Sequence, residues 1–367
     1  MRILIAPDKF KGSLTALEAA RAIARGVLKV YPEAETIPLP IADGGEGTAE
    51  AICAALSGRW ITLPASDPLG RIIEARYAWL DGDIAVIEMS EASGLWRLSE
   101  GERDPMLTST FGTGQLVADA LGRGAKKIMI GLGGSATNDG GIGLADALGF
   151  QFIGFSGERI IAIPANLAAL ARIKRRSGPV GSEVVALCDV SNPLTGERGA
   201  SRVFGPQKGA DSKTVLELDA RLSGLADLVK RDLGCDHRNT PGAGAAGGLG
   251  FGLLSFCDAG IRSGFEIIAE TLHLEEQIAA SDFVMTGEGK IDAQTLGGKG
   301  PAGVAALARK HGKPVYAFAG SVSEETRIQG LFDGIFTITP AGMPLDEAMQ
   351  NASGLLEERA VEAVRRL

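Results

Sequence analysis

A glycine-rich segment at residues 131–141 carries the residue types that bind phosphate groups. It reads Gly-Leu-Gly-Gly-Ser-Ala-Thr-Asn-Asp-Gly-Gly and follows a run, Lys127–Gly131, that is typical of a strand. Glycine lets backbone N–H groups approach an anion closely, and a helix that begins after the loop adds its positive end. A tight turn in which glycine only relieves crowding is the alternative. The candidate anion-binding residues are Gly131, Gly133, Gly134, Ser135 and Thr137.

Two segments combine acidic residues with glycine, at 42–48 (ADGGEGT) and 286–295 (TGEGKIDAQT). Each follows a predicted strand, and ligands of open α/β sheets bind outside the carboxyl ends of the strands. Their carboxylates could bind Mg²⁺ or accept a proton from a substrate, although single acids in such places are often turn or cap residues. The candidates are Asp43, Gly44, Gly45, Glu46, Glu288 and Asp292.

Two further strand ends carry charged residues. Residues 7–13 (PDKFKGS) offer Asp8 and two lysines, of which Lys11, next to Gly12, is the better candidate for holding an anion. Asp189 follows the apolar run 184–187, and an aspartate at a strand end is a common Mg²⁺ ligand in phosphoryl transfer. An Asx-turn before Pro193 explains the same segment structurally.

Several familiar motifs are absent or out of context. No G-x-x-x-x-G-K-[ST] occurs, which excludes an ordinary P-loop. A formal G-x-G-x-x-G at 242–247 follows HRNTP, which is not a strand, so a dinucleotide site is not supported; we expect this glycine-alanine run to pack closely against a bound ligand. Three widely spaced histidines leave little material for a histidine metal cluster or a catalytic triad.

The elements that position these residues alternate between strand and helix, which predicts a mostly parallel α/β sheet. We predict strands at 2–6, 35–39, 127–131, 184–188, 283–286, 315–319 and 334–337, and helices at 15–30, 47–56, 111–121 and 302–310. Runs at 60–64, 73–80 and 84–89 follow one another without a helix, with a hairpin signal at Asp81-Gly82-Asp83. We therefore expect one domain from 1–64 and 276–367, with a mixed α/β domain, 65–275, inserted in it.

Length and composition agree with a two-domain globular protein. The chain has 367 residues, 45% of them hydrophobic, and a net charge of −8, which makes nucleic acid a poor partner. Four cysteines without a C-x-x-C pair predict reduced thiols. The first apolar run is too short for a signal peptide and no run suits a membrane span, so we expect a cytoplasmic protein. A homodimer is compatible with the sequence.

Six segments in order resemble the bacterial glycerate kinase family that is unrelated to P-loop kinases. They are APDKFKGSLTA (6–16), PIADGGEGT (40–48), GLGGSATNDGGIG (131–143), CDVSNPLTG (188–196), GAGAAGGLGFG (242–252) and TGEGKIDAQT (286–295). The resemblance implies phosphoryl transfer from ATP, with Mg²⁺, to D-glycerate, giving 2-phosphoglycerate or, alternatively, 3-phosphoglycerate. It also implies a discontinuous Rossmann- or flavodoxin-like domain with an inserted second domain. Many relatives have serine where Lys9 stands, which argues against an essential Lys9.

Local chemistry suggests a role for each candidate within that activity. Gly133, Gly134 and Ser135 would hold the ATP phosphates, and Asp189, with Asp292 as second candidate, would bind Mg²⁺. Lys11 would neutralise the substrate carboxylate or the transferred group, and Asp43 would accept the hydroxyl proton. Asp8, Gly44, Gly45, Glu46 and Glu288 are assigned to the substrate. The alternatives are a kinase like the galactokinase–homoserine kinase group, suggested by GLGGSAT, and a non-catalytic nucleotide-binding module.

Overall fold

The computed structural model describes residues 1–42, 45, 47–178, 180–292, 295, 300–323 and 330–366. The strands in chain order are β1 (Arg2–Ile5), β2 (Glu35–Pro38), β3 (Arg59–Ser66), β4 (Ile72–Leu80), β5 (Ile84–Glu88), β6 (Lys127–Gly131), β7 (Gln151–Gly154), β8 (Leu170–Lys174), β9 (Glu183–Leu187), β10 (Gly260–Arg262), β11 (Phe283–Ile291), β12 (Val315–Val322) and β13 (Gly334–Thr337).

The α-helices of the described residues are α1 (Ala16–Val30), α2 (Thr48–Ala55), α3 (Ser90–Ser93), α4 (Phe111–Gly122), α5 (Ile142–Ala147), α6 (Ala200–Phe204), α7 (Ser212–Leu233), α8 (Ala245–Cys257), α9 (Gly264–Thr271), α10 (Leu274–Ala279), α11 (Pro301–Lys310), α12 (Leu345–Gln350) and α13 (Ala352–Val364). None of them is long and apolar enough to span a lipid bilayer.

The chain forms two units, and the first, which we call unit 1, comprises Met1–Asp43, Glu50–Ser57 and Gly264–Leu367. Its sheet is parallel throughout, in the order β13-β12-β11-β1-β2. Counted within the unit, this is the 2-1-3-4-5 order of flavodoxin-like folds. One face of the sheet is covered by α1 and α13, and the other by helices that include α10 and α11. The expected discontinuous flavodoxin-like domain is confirmed.

Helix α1 shows how the sequence fixes this packing. Thr15 caps the helix, accepting a hydrogen bond from the Glu18 N–H, while the Glu18 carboxylate accepts the Thr15 N–H, a capping box. Its buried face carries Ile23 and Val27 on neighbouring turns. A Cβ on Gly26 would overlap the Glu357 carbonyl oxygen of α13, so glycine at this position permits close helix contact.

Unit 2 comprises Gly44–Ala49 and Gly58–Ser263. Its sheet has the order β10-β9-β6-β5-β4-β3, in which β3, β4 and β5 are antiparallel neighbours and β5, β6, β9 and β10 are parallel. The predicted hairpin turn is present, with positive φ at Gly82 and Asp83. This sheet is mixed, as expected, and its core contains the buried faces of α4, α5, α7 and α8.

Two details differ from the sequence-based expectations. The predicted boundaries, 64/65 and 275/276, put most of β3 in the first domain and α9 in the inserted one, whereas β3 belongs to unit 2 and α9 to unit 1. β3 lies in unit 2 because it pairs with β4 along its whole length. Strand β11 continues to Ile291 rather than ending at Thr286, so Glu288 lies in a strand and not in a loop. Glycine explains the extension, because a Cβ on Gly287 would overlap the Phe318 carbonyl oxygen of β12.

Candidate functional site

Three parallel strands of unit 2 end side by side. The register aligns Glu88 of β5 with Gly131 of β6, and Gly131 with Leu187 of β9. Gly133 and Asp189 each lie two residues beyond that Gly131–Leu187 pair, and neighbouring strands are about 4.8 Å apart. The glycine loop and the Asp189 segment therefore leave the same edge of the sheet.

The glycine loop, residues 131–141, is largely buried. The side chains of Thr137, Asn138 and Asp139 have no exposed surface, and Ser135 is 7% exposed. The Ser135 Oγ accepts the Thr137 N–H at 3.1 Å and is hydrogen bonded to the Thr137 hydroxyl at 3.1 Å. Gly134 is exposed and Gly133 is half-buried. The backbone of these two glycines is thus the part of the loop that an anion can reach.

Asp139 anchors the loop. Its carboxylate accepts hydrogen bonds from the N–H groups of Thr110, Gly141 and Gly143 and from the Thr110 hydroxyl, at 2.8 to 3.2 Å. Burial raises the pKa of the Asp139 carboxyl, while these four donors act in the opposite direction. The Thr110 hydroxyl also accepts the Leu144 N–H, which joins the loop to α5.

Lys208, which sequence analysis did not identify, lies beneath the glycine loop. Its amine donates to the Thr137 carbonyl oxygen at 2.6 Å and lies 3.4 Å from the Ser135 Oγ, and the residue is 2% exposed. Burial lowers the pKa of Lys208 to about 7, partly offset by the negative charge of Asp139. Its segment, Gly205-Pro206-Gln207-Lys208-Gly209, contains turn residues but gives no sign that the lysine is buried.

The glycine-alanine run at 242–252 packs against protein backbone, which corrects the expectation that it packs against a ligand. A Cβ on Gly247 would overlap the Thr137 carbonyl oxygen, and the Gly247 carbonyl accepts the Gly140 N–H at 3.0 Å. A Cβ on Gly252 would lie 2.7 Å from the Gly141 Cα. Helix α8 therefore supports the glycine loop from behind.

Ser90, also missed from the sequence, adjoins the exposed part of the loop. Its Oγ lies 3.7 Å from the position that a Cβ on Gly134 would occupy. Backbone hydrogen bonds from Leu95 to the Gly134 carbonyl and from Ala136 to the Ser93 carbonyl join the loop to the segment after β5. Ser90 and Gly134 are therefore neighbours at the end of the sheet.

The segment after Asp189 is held by its own polar contacts. Asn192 donates from its side-chain amide to the Arg198 carbonyl at 2.8 Å, and its own carbonyl accepts the Gly244 N–H at 2.9 Å. These bonds give Asn192 a structural role. Asp189 itself is half-buried.

In unit 1, the order of the strands changes direction between β1 and β11, where open α/β sheets bind ligands. Residues 7–13 follow β1 there, and a Cβ on Gly289 of β11 would lie 3.1 Å from the backbone nitrogen of Lys11. Asp8 is 8% exposed, accepts the Lys9 N–H and donates its own N–H to the Gly287 carbonyl, whereas Lys11 is exposed. The structure brings these two predicted segments together.

The acids of β11 and its end have defined partners. Glu288 accepts a hydrogen bond from the Thr295 hydroxyl at 2.7 Å, and the Thr295 hydroxyl accepts the Asp292 N–H at 3.0 Å. Asp292 also pairs with Lys290 at 3.1 Å. Glu288 and Asp292 thus belong to one polar cluster at the carboxyl end of β11.

Asp43, Gly44 and Glu46 lie outside the described residues. The Gly45 carbonyl accepts the Thr48 hydroxyl at 2.7 Å, and the buried Glu88 carboxylate accepts the Ala49 N–H at 2.8 Å. Within the described ranges, no three His, Cys, Asp or Glu side chains are grouped as a metal site. The hypothesis that residues 11, 43, 135, 189 and 292 form a single site stays a prediction.

Known proteins resemble this chain over nearly its full length. The model of the glycerate kinase family matches residues 3–367. A glycerate kinase of Halalkalibacterium halodurans is 47% identical over 365 residues, covering 98% of this chain and 96% of that protein. Glycerate 2-kinase of Escherichia coli is 44% identical over 362 residues, covering 96% and 94%.

A solved structure agrees with these matches. The crystal structure of a protein assigned as glycerate kinase 2 from Salmonella typhimurium LT2 has a TM-score of 0.90 and 43% sequence identity. The match covers 100% of this chain and 98% of the Salmonella typhimurium chain. The sequence resemblance is confirmed, and the chain belongs to the glycerate kinase family.

Proposed function

We propose that the protein transfers the γ-phosphoryl group of ATP, in the presence of Mg²⁺, to a hydroxyl group of D-glycerate and forms 2-phosphoglycerate. The family match and the name of the Escherichia coli relative, glycerate 2-kinase, support the acceptor and the position. The observation that carries the proposal is the position of the glycine loop at the carboxyl ends of parallel strands. The backbone of Gly134 in this loop is exposed, and Asp189 follows the adjacent strand, β9.

The reaction breaks the bond between the γ-phosphorus and the β,γ-bridging oxygen and forms a bond from phosphorus to the glycerate oxygen. The backbone of Gly131, Gly133 and Gly134, with Ser135 and Thr137, would position the phosphates. Lys11 would neutralise the glycerate carboxylate or the transferred group, and Asp43 would accept the hydroxyl proton and release it to solvent. Asp8, Gly44, Gly45, Glu46 and Glu288 would contact glycerate.

The donor chemistry fits a Mg²⁺ ion that is bound mainly by the nucleotide. Such an ion takes one or two protein carboxylates and completes its shell with phosphate oxygens and water. Asp189, which is half-buried, would supply such a carboxylate, and Asp292, also half-buried, is the second candidate. When bound, the ion neutralises charge that develops on the phosphates.

Coupled assays test the reaction. ADP release is measured with D-glycerate and ATP, with and without Mg²⁺, and phosphorus NMR of the product distinguishes the 2-phospho from the 3-phospho isomer. Asp43→Asn and Asp189→Asn should each lower kcat by ~10²-fold or more. Asp81→Asn, in the exposed β4–β5 turn, is the matched control and should retain activity.

The alternatives predict other results. A non-catalytic nucleotide-binding module would bind ATP without releasing ADP when D-glycerate is added. Galactose or homoserine as the preferred acceptor would contradict the proposal, as would full activity of both Asp43→Asn and Asp189→Asn with unchanged circular dichroism. The family match over residues 3–367 favours the glycerate assignment.

A further inference from the structure

Lys208 is the starting point, because its amine is buried and contacts the loop to which the proposed function assigns the nucleotide phosphates. The amine donates to the Thr137 carbonyl oxygen at 2.6 Å and lies 3.4 Å from the Ser135 Oγ. Ser135 directly follows Gly134, whose backbone is exposed. A single residue thus separates the buried amine from the accessible end of the loop.

Charge compensation around this amine is incomplete. The negative charge of Asp139 partly offsets the burial of the Lys208 amine, but the Asp139 carboxylate already accepts four hydrogen bonds. The neighbouring segments also carry Arg103, whose carbonyl oxygen adjoins Gly209, Arg202 on α6, and Asp211 at the N-cap of α7. Because a buried charge with few partners is costly, the amine readily gives up its proton.

An anion at the loop changes this balance. Phosphate groups on the backbone of Gly133 and Gly134 would place negative charge near the amine, and Lys208 itself is only 2% exposed. The attraction would favour the ammonium form over the neutral amine. By linkage, the same attraction makes the phosphates bind more tightly when Lys208 is protonated.

We propose that Lys208 is a positioning residue of the glycine loop, whose amine takes up a proton from solvent when the loop binds the phosphates of a nucleotide. The proposal rests on the proposed function for the assignment of the phosphates to this loop. Lys208 acts through the Thr137 carbonyl and the Ser135 hydroxyl rather than by contact with the substrate. The low pKa of Lys208, about 7, puts the uptake in the neutral to mildly alkaline range.

The test compares wild type with Lys208→Met, which removes the charge at similar length, and Lys208→Arg, which stays charged. Lys213→Met, at an exposed position on α7, is the matched control. Calorimetric titration with ATP in excess Mg²⁺, in two buffers of different ionisation enthalpy, gives the number of protons taken up at pH 8. We expect roughly half a proton or more for wild type and Lys213→Met, and none for the two Lys208 variants.

Affinity provides a second readout. The Kd of wild type for ATP should rise several-fold between pH 7 and pH 9, because the proton becomes harder to acquire. Lys208→Arg should bind ATP with a Kd that does not vary over this range. Lys208→Met should bind about tenfold more weakly than wild type at pH 7, with an unchanged or higher melting temperature, since an apolar side chain can replace a buried charge.

Three results would overturn the proposal: equal proton uptake by wild type and Lys208→Met, equal pH dependence of their Kd values, or an affinity loss that merely follows a loss of folded protein. The outcome is separable from that of the proposed function. Proton-linked ATP binding without transfer to D-glycerate would reject the function and keep the inference. Transfer to D-glycerate with no difference between wild type and Lys208→Met would do the reverse.

Discussion

At the scale of single residues, Asp139 determines the conformation of the glycine loop. Replacing it with asparagine keeps the size but directs an NH₂ group at N–H and O–H donors, which leaves buried groups without acceptors. We expect Asp139→Asn to lower the free energy of unfolding by about 2–4 kcal/mol in urea titrations. Asp81→Asn, in an exposed turn, should change it by less than about 0.5 kcal/mol. Equal stability of both variants would contradict the anchoring role.

Lys208 makes a separate prediction about stability. The pKa of Lys208 is lowered to about 7 in the folded protein, whereas the ordinary lysine value is 10.5. Between these values the unfolded chain holds a proton that the folded chain lacks, so the free energy of unfolding increases with pH. Below pH 7 both states are protonated and the destabilisation by the buried charge is complete.

Relative to Lys208→Met, wild type should therefore gain stability from pH 7 to pH 9, by up to about 1.4 kcal/mol per pH unit. Urea unfolding of both proteins at pH 7, 8 and 9 measures the difference, and titration of other groups cancels in the comparison. A constant difference across this range would show that Lys208 has an ordinary pKa. No ATP is present in this experiment, so it reports on the fold alone.

At the scale of elements, α8 and the glycine loop contact each other through glycines. Gly247→Ala would place a methyl group on the Thr137 carbonyl oxygen, at a residue with φ of 66°. We expect a loss of about 3 kcal/mol or more in the free energy of unfolding. Gly224→Ala is the matched control, because Gly224 lies within α7 with open space around it.

The control should move in the opposite direction. Alanine is favoured over glycine in a helix interior, so Gly224→Ala should stabilise the protein by about 0.5–1 kcal/mol. Thermal and urea unfolding of the two variants would show whether the free energy of unfolding falls in Gly247→Ala and rises in Gly224→Ala. Tolerance of Gly247→Ala would show that α8 and the loop can separate without cost.

Sequence patterns predicted many of these elements but not all of their roles. β6 and β13 have the predicted bounds, and α1 differs by one residue, because apolar periodicity and capping residues are local signals. β11 is longer than predicted, since its glycines resemble a loop until the neighbouring β12 is in place. Helix α7 was not identified, although Leu218, Leu222 and Leu225 have helical spacing.

The site shows the same division between local and distant information. The glycine loop and Asp189 could be predicted as site candidates because their residue types and strand-end positions are visible in the sequence. Lys208 was missed because an isolated lysine gives no sign of burial; the Thr137 carbonyl that it contacts is 71 residues away. Ser90 was missed for a similar reason, since its neighbour Gly134 lies on another strand end.

At the scale of the whole molecule, each unit has its own hydrophobic core. The largest core contains only residues between Ala65 and Ala259, whereas the cores on the two faces of the five-stranded sheet are built from unit 1. We therefore expect residues 58–263, produced alone, to fold with α/β circular dichroism and a cooperative urea transition. A fragment of equal length, 1–206, cuts through unit 2 and should not unfold cooperatively.

The discontinuity of unit 1 has a consequence for the order of events on the ribosome. β1 pairs with β11, 280 residues later, so the amino-terminal strands leave the exit tunnel long before their partners are made. Because synthesis adds about 5–20 residues per second, the edge of β1 that later pairs with β11 stays unpaired for on the order of ten seconds or more. Nascent chains stalled so that residue 263 has left the exit tunnel and residue 283 has not should therefore contain a compact unit 2 and a protease-sensitive amino terminus.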